Sequence, residues 1–243
     1  MPAVAWTDGL PPLTGANVSA REVVAKDAPV LAELLSDALV AEHVSAPPQS
    51  VSAFQGFIAW CQQQRSLGRS VCFGIVPHGL EAAVGIIQIR ALDPTCWQTA
   101  EWGFALAAAF WGTGTFMEAA NLVAEFAFDT MQVHRLEARA VEANARGNAA
   151  LQKLGAKPEG SLVRGFKRPQ GYDTQIMWGL TAEDWRQRPL LHQRFLASEV
   201  RAQIAAAIAG VQDSIDTAKP RAEGAASALH PFFLTGTNKP DPE

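Results

Sequence analysis

The sequence is short of the features that mark secreted, membrane-bound or metal-dependent proteins. Its 243 residues include 3 cysteines, and Cys61, Cys72 and Cys96 form no Cys-x-x-Cys pair. Neither a disulfide framework nor a zinc site is indicated, so we expect no metal. The sequence contains no run of about 18 apolar residues and no basic and apolar leader. These absences predict a reduced, soluble, cytoplasmic protein.

An excess of positive charge is also lacking. The formal net charge is −4 and the pI is about 5.8. Nucleic acid or an anionic membrane would require a basic patch, so we expect neither as a partner, whereas an acidic surface suits a cationic amine. With 48% hydrophobic and 18% charged residues, the chain can bury one sizeable core with length to spare.

The most informative stretch spans residues 99–156. An apolar strand up to Leu106 leads into a glycine turn at 111–115, and apolar residues at helical spacing predict a helix over 116–129. A second strand over 133–142 and a helix over 148–154 follow. The apolar face of the first helix indicates that it lies on a sheet.

The glycine turn has the chemistry of an anion site. A turn that opens a helix leaves backbone N–H groups without intrahelical partners, and the helix dipole favours a negative charge there. Gly112 and Gly114 have no Cβ, so we expect that a phosphate can approach closely. Taken alone, Gly-x-Gly at such a turn is a weak signal and more often marks a plain tight turn.

Several short motifs around this turn occur in a distinctive order. They are Glu101-Trp102-Gly103-Phe104, Phe110-Trp111-Gly112-Thr113-Gly114, Glu118-Ala119, His134-Arg135-Leu136-Glu137-Ala138, Asn144 and Lys153-Leu154-Gly155-Ala156. The run resembles the acyl-CoA-binding core of the Gcn5-related N-acetyltransferases, and within them the RimJ/RimL-like branch that acetylates N-terminal amines of ribosomal proteins. More loosely, the resemblance extends from about Leu13 to Trp185.

The resemblance implies an α/β fold and a cofactor site. We expect a mixed, mostly antiparallel twisted sheet with helices on both faces, plus a C-terminal helical extension. Acetyl-CoA is expected as co-substrate, with its phosphates at the turn and its pantetheine arm along the strand. The residues predicted to contact it are Phe104, Ala105 and Leu106 of the strand, Trp111, Gly112, Thr113, Gly114 and Thr115 of the turn, and Asn144 and Asn148 before the last helix.

Glu101 is the predicted catalytic residue. Amide formation from a thioester needs a neutral amine, a polarised carbonyl and a proton for the thiolate, but no nucleophilic side chain. In related enzymes a glutamate at the start of this strand is often the base, and the small neighbours Gly103 and Ala105 leave space beside it. The alternative is a structural carboxylate paired with a nearby arginine.

Some positions depart from the family pattern. The chain has Ala109 where many members carry Arg or Gln, Leu151 where many carry a tyrosine acid, and Gly147 where the branch carries serine. The group that protonates the thiolate is therefore unassigned, with Ser161 and Tyr172 as candidates.

The remaining elements follow from periodicity and turn residues. A strand is expected over 18–24, then a helix capped by Asp27 whose buried stripe runs to Leu39, and a polar loop in which His43 is either solvated or near the substrate. A helix over 51–66, a hairpin over 71–90, a loop over 91–98 and a last hairpin follow.

The predicted division of the chain is an irregular lead-in at 1–17, an N-acetyltransferase domain at 18–185, a C-terminal helix at 186–216 and a disordered tail at 217–243. The apolar stripe of the C-terminal helix must cover the domain or meet another chain, so a homodimer is one expectation.

The sequence predicts acetyl transfer to a primary amine, of a protein N-terminus or of a small molecule such as a polyamine, amino acid or aminoglycoside. A domain that binds acyl-CoA without catalysis is the alternative.

Overall fold

The computed structural model describes residues 5–45, 48, 50–93, 96–168, 171–188 and 198–217, and its centre is an eight-stranded sheet. The strands are β1 (Leu13–Thr14), β2 (Val18–Glu22), β3 (Ser70–Pro77), β4 (Gly85–Asp93), β5 (Cys96–Leu106), β6 (Arg135–Val141), β7 (Lys157–Arg168) and β8 (Gly171–Thr181). Their order is β1-β2-β3-β4-β5-β6-β8-β7. All neighbours are antiparallel except β5 and β6, which run parallel. The predicted mixed, mostly antiparallel sheet is confirmed.

Seven α-helices are present in the described part of the chain. They are α1 (Ala28–Leu35), α2 (Ala38–Ala41), α3 (Val51–Ser66), α4 (Thr115–Glu125), α5 (Ala145–Lys153), α6 (Ala182–Gln187) and α7 (Ser198–Thr217). A π-helical turn, Phe126–Thr130, continues α4. Together these two segments cover the helix that the apolar spacing predicts over 116–129.

Helices cover both faces of the sheet, as expected. On one face, α1 and α3 bury a cluster that includes Phe57 and Ile58. On the other face, Val123 of α4 lies in a larger cluster with Trp102 of β5. Alternation along β5 separates the two sides, since Ala105 belongs to the first cluster and Trp102 to the second. The sheet is therefore the middle layer of three.

The parallel pair β5 and β6 separates soon after it forms. The strands pair over three positions, from Thr99 opposite Arg135 to Glu101 opposite Glu137. Beyond them, β5 remains paired with β4 as far as Leu106, and β6 remains paired with β8 over its whole length. Because each strand follows its outer neighbour, a V-shaped cleft opens between the two.

Two local predictions are wrong. The predicted loop at 91–98 is mostly strand, because β4 continues to Asp93, which pairs with Cys96 of β5. The predicted long stripe of the first helix is interrupted, since Asp37 caps a new helix by accepting the N–H of Leu39. This restart changes the helical phase and leaves Leu39 58% exposed.

Asp27 stands at the N-cap position of α1, but its side chain accepts no hydrogen bond from that helix. Its carboxylate is fully buried and accepts two hydrogen bonds from the Arg21 guanidinium, at 2.7 and 2.8 Å. It also accepts the backbone N–H groups of Val24 and Ala83. A buried carboxylate needs this many donors, so the residue joins β2 to the turn before β4 instead of opening a helix.

The C-terminal helix α7 packs on its own domain. Ile204, Ala207 and Val211 are buried in the same cluster as α4. The apolar stripe is thus covered within one chain and does not require a second copy. The predicted start of this helix at 186 is wrong, because that position belongs to α6, and residues 189–197 lie outside the described residues. Of the predicted tail at 217–243, the first residue ends α7 and the others lie outside the described residues. Among the described helices, none is both long and apolar enough to cross a membrane.

Candidate active site

The turn before α4 presents backbone donors. Gly112 and Gly114 adopt φ of 79° and 87°, in the left-handed region that favours glycine, and Gly114 is the N-cap of α4. The N–H groups of Gly112, Gly114 and Phe116 have no acceptor among the described residues. Three such donors at a helix N-terminus form the kind of anion site that the sequence predicts.

The two threonines of the turn use their donors within the turn: the Thr113 N–H donates to the Phe110 carbonyl and the Thr115 N–H to Oγ1 of Thr113. The Thr113 hydroxyl donates to the Phe110 carbonyl at 2.8 Å. The Thr115 hydroxyl lies 2.7 Å from the Thr113 hydroxyl. Both side chains are buried. Their hydroxyls therefore fix the shape of the turn and do not point toward a ligand.

One side of the turn is covered by α7. A Cβ built on Gly114 would lie 3.4 Å from Cγ1 of Val200, whereas a Cβ on Gly112 would have no neighbour within 4 Å. The space beside Gly114, which we expected to admit a phosphate, is thus in contact with α7. The open approach to the turn is at Gly112.

Trp111 links the turn to β5 and to α5. Its indole N–H donates to the Leu106 carbonyl at 2.9 Å. The guanidinium carbon of Arg146, the second residue of α5, lies 3.8 Å from the centre of the Trp111 ring. This cation–π contact brings the start of α5 beside the turn, although 34 positions separate the two residues in the sequence.

The cleft between β5 and β6 continues from this turn. Its lining comes from residues 102–104 of β5, residues 138–140 of β6, Asn144, Gly147 and Leu151 around α5, residues 43–45 after α2, and Phe166 and Gln175 of the last hairpin. Because β5 and β6 no longer pair here, their facing edges offer backbone donors and acceptors to a ligand. An extended chain could pair with β5 at this position.

The structure places some of the predicted cofactor contacts on β5 in the cleft and others outside it. Phe104 lines the cleft, but Ala105 and Leu106 do not. The Leu106 carbonyl is already bound by the Trp111 indole. Of the three residues predicted to align the pantetheine arm, Phe104 is the one placed in the cleft.

The two asparagines at the start of α5 and within it also differ in whether they line the cleft. Asn144 lines the cleft and caps α5, with its side-chain oxygen accepting the Gly147 N–H at 2.8 Å. Asn148 does not line the cleft. Its amide nitrogen donates to the Val141, Glu142 and Asn144 carbonyls, at 2.9 to 3.2 Å, and its oxygen accepts the Trp178 indole N–H. Asn148 therefore holds α5 against β6 and β8.

Glu101 lies where the strands begin to separate. Its side chain is 2% exposed, and Oε2 accepts a hydrogen bond from Nη2 of Arg90 at 2.8 Å. The other oxygen is 3.7 Å from Nε of Arg139, which does line the cleft. Glu101 itself is not a lining residue. The pairing with an arginine that the sequence left open as an alternative is present.

Other cleft residues were predicted from the sequence only as one of two alternatives, as for His43, or not at all. His43 lines the cleft, and its Nδ1 is buried without a partner among the described residues, while its Nε2 lies 3.8 Å from Glu42. Arg139 alternates with the buried Ala138 and Ala140 on β6, so strand periodicity alone could have placed it on the opposite face. Nothing in the local sequence points to Phe166 or Gln175.

The candidates for the thiolate acid lie elsewhere. Ser161 is exposed on β7 and Tyr172 is 59% exposed on β8, and neither lines the cleft. Leu151, at the position where the resemblance implies a tyrosine in many family members, does line it. Within the described chain, no group of three or more His, Cys, Asp or Glu residues is arranged to hold a metal ion.

The comparison with protein families identifies this arrangement. A model described as an acetyltransferase (GNAT) domain matches residues 18–157, more than half of the chain. The chain belongs to the GNAT acetyltransferases. This confirms the family that the motifs around the turn indicate, and an acetyl-CoA-dependent acetyltransferase activity follows from it.

Individual proteins similar to this GNAT protein are also named as acetyltransferases. The uncharacterized N-acetyltransferase p20 of Bacillus licheniformis is 24% identical over 156 residues, covering 64% of this chain and 86% of p20. Mycobacterium smegmatis RimJ in complex with CoA-disulfide has a TM-score of 0.65 at 22% identity, covering 83% of this chain and 96% of RimJ. The ribosomal-protein-S5-alanine acetyltransferase from Vibrio fischeri has a TM-score of 0.66 at 15% identity, covering 74% and 100%. At such identities the structural likeness shows the fold alone.

The residues of this GNAT domain fit acetyl-CoA. The phosphate groups of acetyl-CoA require hydrogen-bond donors, and the turn supplies N–H groups that have no acceptor in the described chain. The extended pantetheine arm requires a groove with a free strand edge, and the cleft supplies one. The cleft and the start of α4 meet at Phe104, which lines the cleft and whose ring centre lies 4.3 Å from that of Phe116. A single elongated ligand could therefore occupy both.

Proposed function

We propose that this GNAT domain transfers the acetyl group of acetyl-CoA to the primary amine of a protein N-terminus. The observation that carries the proposal is the separation of β5 and β6 beside a turn in which the N–H groups of Gly112, Gly114 and Phe116 have no acceptor in the described chain. The turn would hold the phosphates, and Phe104 and Asn144 would line the path of the pantetheine arm.

The reaction moves protons both before and after the attack. The ammonium form of the acceptor first loses one proton. The neutral nitrogen then attacks the thioester carbonyl, the C–N bond forms, the C–S bond breaks, and the thiolate leaves. The nitrogen loses a second proton and the thiolate gains one, so that one proton is released overall. We propose Glu101 as the acceptor of the first proton, directly or through a water molecule, because it lies where the cleft begins. Arg90 and Arg139 would hold its carboxylate in one orientation.

The lining of the cleft favours a singly charged acceptor. Among the described residues, it contains Arg139 and His43 but neither Asp nor Glu. Polyamines and aminoglycosides carry several positive charges and would be bound best by several carboxylates. A peptide N-terminus carries one charge, and its backbone can pair with strand edges. The names of the RimJ and ribosomal-protein-S5-alanine acetyltransferase neighbours point in the same direction.

Thiol release from acetyl-CoA tests the proposal. The panel would contain peptides with different free N-terminal residues, the same peptides with blocked N-termini, spermidine, free amino acids and an aminoglycoside. We expect release with free peptides and none with blocked ones. Faster release with spermidine or the aminoglycoside would overturn the choice of acceptor. Calorimetric binding of acetyl-CoA without release for any amine would indicate a domain that binds without catalysis.

A further inference from the structure

The turn that is proposed to hold the phosphates provides no side-chain cation of its own. At the first position of the turn signature, Ala109 is exposed and has no polar side-chain atom. The two threonines direct their hydroxyls inward. The turn therefore meets a ligand with several negative charges through neutral N–H groups alone, unless a basic residue reaches it from another element.

Arg146 is such a residue. Its guanidinium carbon is 3.8 Å from the centre of the Trp111 ring, and Trp111 directly precedes Gly112, where the turn is open. The indole is fixed from its other end by the hydrogen bond to the Leu106 carbonyl. The guanidinium is therefore held beside the turn by an aromatic ring that cannot easily move.

The contact with the face of the Trp111 ring occupies none of the N–H donors of Arg146. A guanidinium that lies over an aromatic face keeps its N–H groups in its own plane, where they can bind phosphate oxygens edge-on. Arg146 is exposed and forms no ion pair with a carboxylate among the described residues. Its charge is thus not neutralised by a neighbour in this part of the chain.

We propose that Arg146 binds a phosphate group of the acetyl-CoA nucleotide and supplies the cation that Ala109 does not. The inference rests on the proposed function, because it takes the turn as the phosphate site. The ligand chemistry is a phosphate oxygen of either the diphosphate or the ribose 3′-phosphate. The alternative is that Arg146 only packs α5 against the turn.

Calorimetry with matched variants and ligands tests this. The variants are Arg146→Gln, Arg146→Lys and the control Lys153→Gln, which removes an exposed positive charge from the other end of α5. The ligands are acetyl-CoA and acetyl-dephospho-CoA, and acetyl-pantetheine, which has no phosphate, is assayed by thiol release. We expect Arg146→Gln to weaken acetyl-CoA binding about tenfold, as for an exposed charge-assisted hydrogen bond. Arg146→Lys should recover part of the loss, and Lys153→Gln should change affinity less than about twofold.

The three ligands distinguish the possible outcomes of this experiment. Loss of the Arg146→Gln effect with acetyl-dephospho-CoA identifies the 3′-phosphate as the contact, and an unchanged effect identifies the diphosphate. Wild-type affinity of Arg146→Gln for acetyl-CoA overturns the inference, as does an equal loss of activity with acetyl-pantetheine, which would indicate packing alone. If the wild-type protein itself does not bind acetyl-CoA, the proposed function fails first.

Discussion

Replacing Glu101 by glutamine tests whether this residue is a proton acceptor or a structural carboxylate. Glutamine keeps the shape of the side chain but removes the charge that faces Arg90 at 2.8 Å and Arg139 at 3.7 Å. The acetyl-CoA site should be unaffected, because Glu101 lines neither the cleft nor the turn. Turnover with the best peptide should fall by roughly a hundredfold if a positioned base carries the step.

The same change should lower stability. Removing one partner of a fully buried ion pair costs about 3–5 kcal/mol. The side chains of Arg90 and Arg139 are 29% and 22% exposed, so water can partly replace the lost partner. We therefore expect a loss of about 1–3 kcal/mol, in the range of a hydrogen bond to a charged group. A domain of this size would lose roughly 2–4 °C in Tm for each kcal/mol.

Arg90→Gln is the matched control, because it breaks the same ion pair and leaves the carboxylate in place. We expect a similar loss of Tm in this variant, with turnover within about threefold of wild type. The assay is thiol release from pH 6 to pH 9 with saturating acetyl-CoA. The deficit of Glu101→Gln should shrink as the pH rises, since more of the amine is then already neutral.

Two results would refute the reasoning. If turnover of Glu101→Gln at pH 7 changes less than about threefold, well below the usual contribution of a general base, Glu101 is structural. If Arg90→Gln loses as much turnover as Glu101→Gln, the ion pair shapes the cleft and the carboxylate takes no proton.

Three further predictions concern other parts of the domain. His43→Gln should lower turnover at least about tenfold with little change in acetyl-CoA affinity, because Nδ1 of His43 lies buried at the cleft without a described partner. Unchanged turnover would mean that His43 takes no part in the reaction. Ile204→Ala should cost about 2–5 kcal/mol in urea unfolding, since Ile204 is 3% exposed in the core; a loss below about 1 kcal/mol would mean that α7 is not firmly docked. The Arg135 guanidinium lowers the pKa of Glu159, mainly through a hydrogen bond. The stability difference between wild type and Glu159→Gln should thus be present above about pH 4.5 and disappear as the pH falls through the lowered pKa of Glu159; a difference that persists at pH 2 would contradict this.

The elements beside the turn could be predicted from sequence because each is specified locally. The spacing of Ala119, Ala120 and Val123 marks the buried face of α4 in the sequence, and all three are buried in the structure. Gly112 and Gly114 predict a tight turn before α4, and both adopt the left-handed backbone that such a turn favours. Periodicity and turn chemistry act over a few residues, so one sequence is sufficient to locate them.

The composition of the cleft could not be predicted in the same way. His43, Phe166 and Gln175 come from segments far apart in the chain, and they meet only because the last hairpin and the loop after α2 both border the separated strands. The role of Asn148 was missed for a related reason. Its amide is satisfied by three carbonyls and an indole, and that network exists only once α5, β6 and β8 are assembled.

The position of the site follows from one topological feature of the sheet. In the part of the chain that the structure describes, β5 and β6 are the only parallel neighbours, so their carboxyl ends leave the sheet at the same edge. The turn that opens α4 follows β5, and the turn that opens α5 follows β6. Both helix N-termini must then lie side by side, and the contact of Trp111 with Arg146 shows that they do. A parallel pair with separating ends thus brings together a turn with free N–H groups, a free strand edge and a cation, as at the switch points of open α/β sheets.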